Sequence, residues 1–346
     1  MASDYTRLGS NLVLDSESLA QASTSWNPRA LKTRPTRFEA VVRPESAEVA
    51  RVVLDQCAQE GWSVAAIGGG SGTGEPSIAQ IGLDTSALRA VTLNELDLCV
   101  EAEAGVTIEV LEEDLARHGY TLGQTIGSAA LATVGGCITT DAVGLFSGRY
   151  GRFRDIVLST ETCQGIILSA TLAIRPAPEV RAWAVFGYSN DEDAIDALRL
   201  IYRSDSRPAL AHAADGLLVL AFEGEELTQA GNYQLAHAVC QQIGLTPRDS
   251  DEGEIWLQEQ QRDSLWSQNA QEGVWADRVN LRVSWSIAKE TLRAARQILS
   301  APEVEPRLAL RHPDPHGVTL ALGFVAHTSE RGWTTLRESL LQLREF

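Results

Sequence analysis

Basic residues are scarce in this chain of 346 residues, which has 29 Lys and Arg against 46 Asp and Glu and a formal charge of −17. That charge repels phosphate backbones and anionic lipid headgroups, so nucleic acids and membrane surfaces are poor partners. The sequence also lacks any run of about 18 uncharged apolar residues, the length that a membrane-spanning helix needs. We therefore predict no nucleic acid partner and no membrane insertion.

Cysteine is scarce as well, and no Cys-x-x-Cys pair occurs among Cys57, Cys99, Cys137, Cys163 and Cys240. An odd number of widely spaced cysteines, without a neighbouring His pair, predicts buried thiols in a reducing compartment. Residues 1–20 mix charged residues into their apolar ones and lack the uninterrupted apolar stretch of a secretory signal. Together these absences predict a cytoplasmic location.

The residues that are present indicate a folded protein of two domains. Apolar residues make up 44% of the chain and charged residues 22%, which is close to the average for globular proteins. At about 100–200 residues per domain, the length predicts two domains. Residues 1–35 have little periodicity and are predicted to form an N-terminal arm. The Pro-containing stretch Arg175–Pro178 predicts a boundary between a domain at 36–178 and a domain at 179–346.

The hydrophobic pattern between Phe38 and Ile67 predicts a strand, a helix and a second strand. Ser46 can cap the helix. The residues predicted on the buried face of that helix are Val49, Val52, Val53 and Cys57.

The second domain alternates predicted strands and helices. Apolar residues at every second position predict half-buried strands at 279–287 and 318–324. Helices predicted at 289–299 and 330–343 would cover one face of their sheet. The earlier elements predicted in this domain are strands at 182–186 and 217–222 and helices at 191–203 and 228–243.

Five of the seven residues from Gly68 to Gly74 are glycine, and they come directly after the second predicted strand. Glycine allows a positive φ and lets backbone N–H groups close around a phosphate without a Cβ in the way. The loop therefore predicts an anion cradle, with a flexible turn as an equally weighted alternative. A P-loop is excluded because Gly74 is followed by Glu75 instead of Lys, and the Gly-x-Gly-x-x-Gly spacing of a Rossmann fold is absent.

A second glycine-rich zone runs from Gly127 to Gly144, and it is followed by Arg149-Tyr150-Gly151, by Asp155 before a strand, and by Cys163–Pro176. In this order, these motifs resemble the flavin-binding signature of the FAD-binding PCMH-type proteins, the vanillyl-alcohol oxidase/p-cresol methylhydroxylase superfamily. The Gly68–Gly74 loop falls where that superfamily places its pyrophosphate loop. The resemblance covers almost the whole first domain.

The resemblance implies an α+β fold, in which a two-subdomain PCMH-type FAD-binding domain over residues 36–178 precedes an α+β substrate or cap domain over residues 179–346. The cap is expected to lack the superfamily's usual C-terminal segment. FAD is the implied cofactor, bound non-covalently because Ser71 stands where one subgroup attaches its flavin to a His. The residues implied at the cofactor are Gly68, Gly69, Gly70, Ser71, Gly72, Gly127, Ser128, Thr133, Val134, Gly135, Gly136, Thr139, Thr140, Gly144, Ile166 and Ile167.

The second domain resembles, more weakly, the glycolate oxidase, D-lactate dehydrogenase and alkyl-dihydroxyacetone-phosphate synthase branch. That resemblance implies hydride transfer from the α-carbon of a small 2-hydroxy acid, or a related anionic alcohol, to flavin N5. A base would take the hydroxyl proton and an Arg would hold the carboxylate. The expected catalytic residues are His312, Arg278 and Arg311. Arg282 is a third candidate for the carboxylate clamp, and a polar loop residue is an equally good interpretation of His312.

The partners implied by the resemblance are a small-molecule substrate and an electron acceptor, and a homodimer is a further expectation. No metal site is expected, because Thr319 or Leu320 stands where related sequences carry a second metal-type His. A flavin-binding subunit without its own oxidoreductase activity is the alternative hypothesis.

Overall fold

The computed structural model describes residues 5–9, 12–13, 19, 38–72, 79–204, 206–262 and 273–343. The chain divides into two compact units. The first unit comprises Met1–Gly144 and Gly151–Ala177, and the second comprises Leu145–Tyr150 and Pro178–Phe346. The short segment Leu145–Tyr150 therefore belongs with the second unit, although it lies inside the first domain of the sequence-based division.

The described part of the predicted N-terminal arm packs in the first unit. Tyr5–Leu8 form a 3-10 turn that buries Tyr5 and Leu8. Strand β1 (Leu12–Val13) pairs antiparallel with β2 (Ala40–Val42), and the Tyr5 hydroxyl hydrogen-bonds the carboxylate of Glu39. Most of the predicted arm lies outside the described residues.

Two four-stranded sheets form the framework of the first unit. The first has the order β1-β2-β4-β3, with parallel pairing among β2, β3 (Val64–Ile67) and β4 (Ile81–Asp84). The strands of the second, antiparallel sheet are β5 (Val91–Asn94), β6 (Cys99–Glu103), β8 (Val157–Cys163) and β9 (Ile166–Ala173), in the order β5-β6-β9-β8. A two-stranded ladder pairs β7 (Tyr120–Thr121) with β10 (Arg175–Pro176). The helices of this unit are α1 (Ala47–Glu60), α2 (Ile108–Arg117) and α3 (Val134–Thr139), with 3-10 turns at Thr85–Ala87 and Phe153–Ile156.

Helix α1 begins as predicted, because the side chain of Ser46 accepts a hydrogen bond from the amide of Val49. Its buried face was predicted wrongly in part. Val49 is 43% exposed and Val52 is 67% exposed. The buried residues are Ala50, Val53, Leu54 and Cys57, which have the i, i+3, i+4, i+7 spacing of a core face. Val49 lies at the edge of that stripe, whereas Val52 lies on the opposite, solvent-exposed face of the helix.

One antiparallel sheet of seven strands forms the second unit, in the order β14-β11-β13-β12-β16-β17-β15. Its strands are β11 (Val180–Gly187), β12 (Leu210–Ala214), β13 (Leu217–Gly224), β14 (Thr246–Pro247), β15 (Val274–Ser284), β16 (Val304–Asp314) and β17 (Gly317–His327). Its helices are α4 (Ser147–Tyr150), α5 (Asp191–Arg203), α6 (Glu226–Ile243), α7 (Asp251–Arg262), α8 (Ala288–Ile298) and α9 (Glu330–Gln342).

The two faces of this sheet have different coverings. Helices α5, α6, α8 and α9 bury one face in a large apolar core that includes Phe222 and Phe324. On the other face, a smaller cluster packs Phe146 and Tyr150 of the inserted segment with Trp256 of α7. The same face also carries a third apolar cluster, formed by Val274, Ala276 and Val325, and a row of polar residues. Among the described helices, none is both long enough and apolar enough to cross a membrane.

Candidate functional site

The loop Gly68–Gly72 starts where β3 ends, and its backbone lies directly against the second glycine-rich zone. A Cβ at Gly69 would lie 1.5 Å from the carbonyl oxygen of Leu131, and a Cβ at Gly68 would lie 2.7 Å from Oγ1 of Thr133. Glycine is therefore required at Gly69 by a close backbone approach and favoured at Gly68 by the side chain of Thr133. This approach brings the two predicted cofactor segments together. Thr73 and Gly74, at the end of the predicted loop, lie outside the described residues.

The backbone amides of this loop are available for a ligand. None of the amides of Gly69–Gly72, and neither that of Gly127 nor that of Ser128, donates a hydrogen bond to the described part of the chain. Gly70 adopts a φ of +67°, and a Cβ at Gly72 or Gly127 would meet nothing within 4 Å. Unpaired N–H groups next to a left-handed glycine form a concave anion site. The donors present therefore fit the pyrophosphate of a dinucleotide.

Helix α3 begins within the second zone, and its first turn is already hydrogen-bonded. Oγ1 of Thr133 accepts from the amide of Gly136 at 3.3 Å, and the amide of Gly135 donates to the carbonyl of Ala104 at 3.0 Å. A Cβ at Gly135 would lie 2.9 Å from the Cβ of Ala104. Gly135 thus serves the packing of α3 against Ala104, and the free amides of the cradle lie in the loop segments instead.

Three further predicted cofactor residues lie in α3 or at its C-terminal end, where Thr140 follows the last helical residue. Val134 is fully buried, whereas Thr139 and Thr140 are exposed. Their hydroxyls donate to the carbonyls of Gly135 and Gly136, each at 2.8 Å. Each hydroxyl oxygen still has acceptor capacity toward a ligand on the exposed side of the helix.

The last predicted cofactor residues lie at two other places in the first unit. Gly144 is buried, and a Cβ there would lie 2.9 Å from the backbone nitrogen of Thr125, so its glycine is explained by packing. Ile166 and Ile167 begin β9, before its pairing with β6 starts at Ser169. The edge of Ile166–Ile167 on the β6 side therefore has no strand paired to it within the described residues.

In the second unit, strand pairing places a row of polar residues across the sheet. His212 of β12 lies opposite Arg311 of β16, Arg311 lies opposite Thr319 of β17, and Thr319 lies opposite Arg282 of β15. Residues directly opposite each other in an antiparallel pair have Cβ atoms about 4.5–5.5 Å apart. Arg278 lies four residues before Arg282 and hence on the same face of β15. This face is the one that helices α5, α6, α8 and α9 leave uncovered.

Arg282, one of the three predicted carboxylate clamps, already has an anionic partner. Its guanidinium forms an ion pair with Asp314 and donates to the backbone carbonyl of His312 at 3.2 Å. These contacts tie β15 to the irregular end of β16. Arg282 is therefore engaged within the protein.

Arg278 and Arg311 differ from Arg282, because neither forms an ion pair with a carboxylate in the described part of the chain. Asp277 is the sequence neighbour of Arg278, but it lies on the helix-covered face and pairs with Arg337 of α9 at 3.0 Å. Burial lowers the pKa of the Arg311 guanidinium to about 10, and the charge of Arg278 acts in the same direction. Desolvation also lowers the pKa of Arg278, and the charge of Asp277 partly opposes this by raising it. Part of the Arg278 surface remains exposed to solvent. The two cations therefore favour a bound anion.

His212 is the buried member of this group, with 3% of its surface exposed. Its Nδ1 has no hydrogen-bond partner among the described residues, and its ring contacts that of Trp256 at a centroid distance of 4.7 Å. Burial holds the pKa of His212 well below its ordinary value, and the charges of Arg311, His312 and Arg278 act in the same direction. His212 could not be recognised from the sequence, since the stretch Leu210–Ala214 lacks β-branched residues and no strand is predicted there.

His312, the predicted base, lies at a break in the β16–β17 pairing, between the pairs formed by Arg311 and Asp314. It has a φ of +45°, which is unusual for a residue with a side chain. The structure thus places all three predicted catalytic residues, Arg278, Arg311 and His312, within electrostatic reach of His212. Within the described residues, no group of three or more His, Cys, Asp or Glu side chains is arranged to hold a metal ion.

Comparison with known protein families gives one match, the FAD binding domain family, over residues 38–165. The chain is 23% identical over 220 residues to alkyldihydroxyacetonephosphate synthase of Caenorhabditis elegans, covering 52% of this chain and 37% of the relative. It is 31% identical over 137 residues to D-lactate dehydrogenase of Archaeoglobus fulgidus, covering 39% and 31%. The chain thus matches well under half the length of these curated relatives.

Solved structures agree over almost the whole chain. A structure of alkyldihydroxyacetonephosphate synthase superposes with a TM-score of 0.87 at 15% identity, covering 99% of this chain and 81% of the other. A structure of p-cresol methylhydroxylase with substrate bound gives a TM-score of 0.74 at 14% identity, covering 96% and 83%. The fold predicted from the glycine-rich motifs is confirmed, and so is FAD as the cofactor of the first unit.

Proposed function

We propose that the chain, whose residues 38–165 match the FAD binding domain family, is an oxidoreductase of the FAD-binding PCMH-type superfamily that oxidises a small 2-hydroxy acid or a related anionic alcohol. When bound, FAD supplies the hydride acceptor at its N5 atom. The residues of the chain have two tasks. The first unit holds the cofactor, and the second unit binds the anionic group of the substrate.

The free amides of Gly69–Gly72, Gly127 and Ser128 are the groups that would hold the pyrophosphate. The N–H dipoles of these segments would meet the negative charge of the pyrophosphate. Since Ser71 offers no ring nitrogen for attachment, we propose that the cofactor is held non-covalently.

The observation that carries the substrate proposal is the pair Arg278 and Arg311, which share one sheet face and have no carboxylate partner among the described residues. In a chain of net charge −17, an anionic substrate needs such a local cationic site to bind. A guanidinium can hold a carboxylate through two parallel hydrogen bonds, which fixes the orientation of the acid as well as its position. The similarity to proteins named D-lactate dehydrogenase and D-2-hydroxyglutarate dehydrogenase supports an acid as the substrate class.

The proposal is tested by anaerobic mixing of the FAD-loaded protein with a panel of 2-hydroxy acids, while the flavin absorbance is followed. We expect at least one acid to bleach the flavin, and we expect Arg311→Ala and Arg278→Ala to raise the acid concentration needed. Arg282→Ala is the matched control, because Asp314 already neutralises Arg282. If no acid bleaches the flavin of the wild-type protein, the oxidoreductase proposal is wrong. The alternative hypothesis, a flavin-binding subunit without its own activity, then replaces it.

A further inference from the structure

Two buried polar atoms without partners belong to neighbouring residues on the face of the second sheet that lies opposite α5, α6, α8 and α9. Nδ1 of His212 and Nε of Arg311 are both enclosed by protein, and neither has a hydrogen-bond partner within the described ranges. The two residues lie directly opposite each other on β12 and β16. Buried polar groups are nearly always hydrogen-bonded, so two adjacent exceptions indicate a place where a ligand supplies the missing partners.

The surroundings of His212 define what that ligand must offer. Trp256 contacts its ring on one side, and burial together with the charges of Arg311, His312 and Arg278 lowers its pKa. These surroundings disfavour a positively charged imidazole, so His212 is neutral and has one nitrogen that donates and one that accepts. A neutral hydroxyl or carbonyl oxygen next to an anionic group is the matching ligand chemistry.

We propose that His212 hydrogen-bonds the α-oxygen of the acid whose carboxylate is held by Arg311 and Arg278. This inference rests on the proposed function and adds to it the residue that distinguishes a 2-hydroxy acid from a plain carboxylic acid. The α-oxygen and the carboxylate are attached to neighbouring carbons, so their protein partners must also be neighbours. His212 and Arg311 meet this requirement through their direct cross-strand pairing.

The geometry also separates His212 from His312. His312 is half-buried at the strand irregularity, and its backbone carbonyl is held by Arg282. His212 lies within a regular strand, pairs with both Val219 and Arg311, and is 3% exposed. A side chain fixed in this way is better suited to recognising one oxygen atom at a defined position.

The test compares the binding of two acids, 2-hydroxy-2-methylpropanoate and 2-methylpropanoate. Neither acid can be oxidised as a 2-hydroxy acid, because the first has no hydrogen on its α-carbon and the second has no hydroxyl. They differ only in the α-hydroxyl, and their dissociation constants for the FAD-loaded protein are measured by calorimetry. We expect the wild-type protein to bind the hydroxy acid roughly tenfold more tightly, the effect of one well-placed hydrogen bond. In His212→Phe, which keeps an aromatic ring against Trp256, we expect this preference to disappear while the affinity for 2-methylpropanoate changes less than about twofold.

His212→Gln supplies the second variant, because its amide can reach the same oxygen and should restore part of the preference. Arg311→Gln is the contrast, and it should weaken the binding of both acids together. Equal binding of the two acids to the wild-type protein, or an unchanged preference in His212→Phe, would overturn the role of His212 and leave the carboxylate site standing. If the wild-type protein binds neither acid, the proposed function itself is overturned.

Discussion

The hydroxyl of Tyr150 donates a hydrogen bond of 2.6 Å to Oε2 of Glu223, while Arg181 binds the other oxygen of the same carboxylate at 2.6 Å. Glu223 is 3% exposed. Each oxygen of this buried carboxylate is therefore satisfied by a different segment of the chain. The contact holds the inserted segment Leu145–Tyr150 in the second unit.

Tyr150→Phe should destabilise the second unit, because it leaves one oxygen of a buried carboxylate without its donor. A hydrogen bond to a charged group contributes about 1.5–3 kcal/mol, and we expect a loss in that range from urea unfolding. Tyr120→Phe is the matched control, since the Tyr120 hydroxyl meets Glu95 at 3.4 Å on the exposed surface. An equal loss of unfolding free energy in both variants would show that the Tyr150–Glu223 hydrogen bond contributes no more to stability than an exposed one.

Gly69→Ala should abolish FAD binding, because a Cβ there would lie 1.5 Å from the carbonyl oxygen of Leu131 and would force the loop away from the second glycine zone. Titration of the apoprotein with FAD, followed by flavin fluorescence, measures the effect. Gly231→Ala, on an exposed position of α6 with nothing within 4 Å of the added Cβ, is the control. It should leave FAD affinity unchanged and stabilise the helix by about 0.5–1 kcal/mol. Unaltered FAD affinity in Gly69→Ala would mean that the cradle is misplaced.

Arg311→Ala should weaken the binding of a carboxylate by about 2–5 kcal/mol, the range found when one partner of a buried charge pair is removed. Arg278→Ala should have a smaller effect, because Arg278 keeps exposed surface and water screens its charge. Calorimetry with 2-methylpropanoate measures both variants without involving turnover. If Arg282→Ala matched Arg311→Ala, the assignment of the clamp would be wrong.

Acid should destabilise the protein partly through His212. Because the pKa of His212 is lowered in the folded protein, the unfolded chain binds the proton more readily below about pH 6.5. The stabilisation is thus present above that pH and is lost as the pH falls, by up to about 1.4 kcal/mol per pH unit. Unfolding free energies measured between pH 7 and pH 5 should fall less steeply in His212→Phe. Parallel slopes in the two proteins would show that His212 does not contribute.

The thiols should differ in their reaction with iodoacetamide. Burial raises the pKa of Cys137 and of Cys240 to about 12, so at pH 8 only about one thiol in 10,000 is ionised. Cys99 and Cys163 are half-buried, and we expect them to be alkylated first. Mass spectrometry of peptides from briefly treated native protein identifies the modified sites. Early labelling of Cys137 or Cys240 would contradict the packing described here.

Local patterns in the sequence predicted a large part of the fold. Asp191–Arg203 forms the helix predicted at 191–203. Asn190 caps this helix, and its apolar residues recur regularly on one face, so both local signals predict the same element. The strand β16 was missed because Pro306, Pro313 and the left-handed His312 interrupt any strand pattern. β12 was missed because alanine and histidine carry little strand propensity. Both strands are specified by their neighbours in the sheet, which a local pattern cannot show.

The two candidate sites also differ in how far they could be predicted from local sequence patterns. The cradle could be predicted from the positions of the glycines, because the Leu131 carbonyl leaves room only for glycine at Gly69 and Oγ1 of Thr133 lies close to Gly68. The different roles of Arg311 and Arg282 could not be predicted from the sequence, because they depend on which arginine forms the ion pair with Asp314. His212 and Arg311 are far apart in the sequence and become neighbours through the β12–β16 pairing alone.

The assignment of Leu145–Tyr150 to the second unit has a consequence for the order in which the protein is made. The ribosome delivers Phe146 and Tyr150 before β11 and β13 exist, so these aromatic side chains emerge without the residues that later bury them. Synthesis must reach Glu223 before Tyr150 can form its hydrogen bond. Domains commonly fold one after another as they leave the ribosome, but here the second unit contains a piece supplied from within the first. The aromatic side chains of Leu145–Tyr150 therefore stay without their buried partners until most of the second unit has been synthesised.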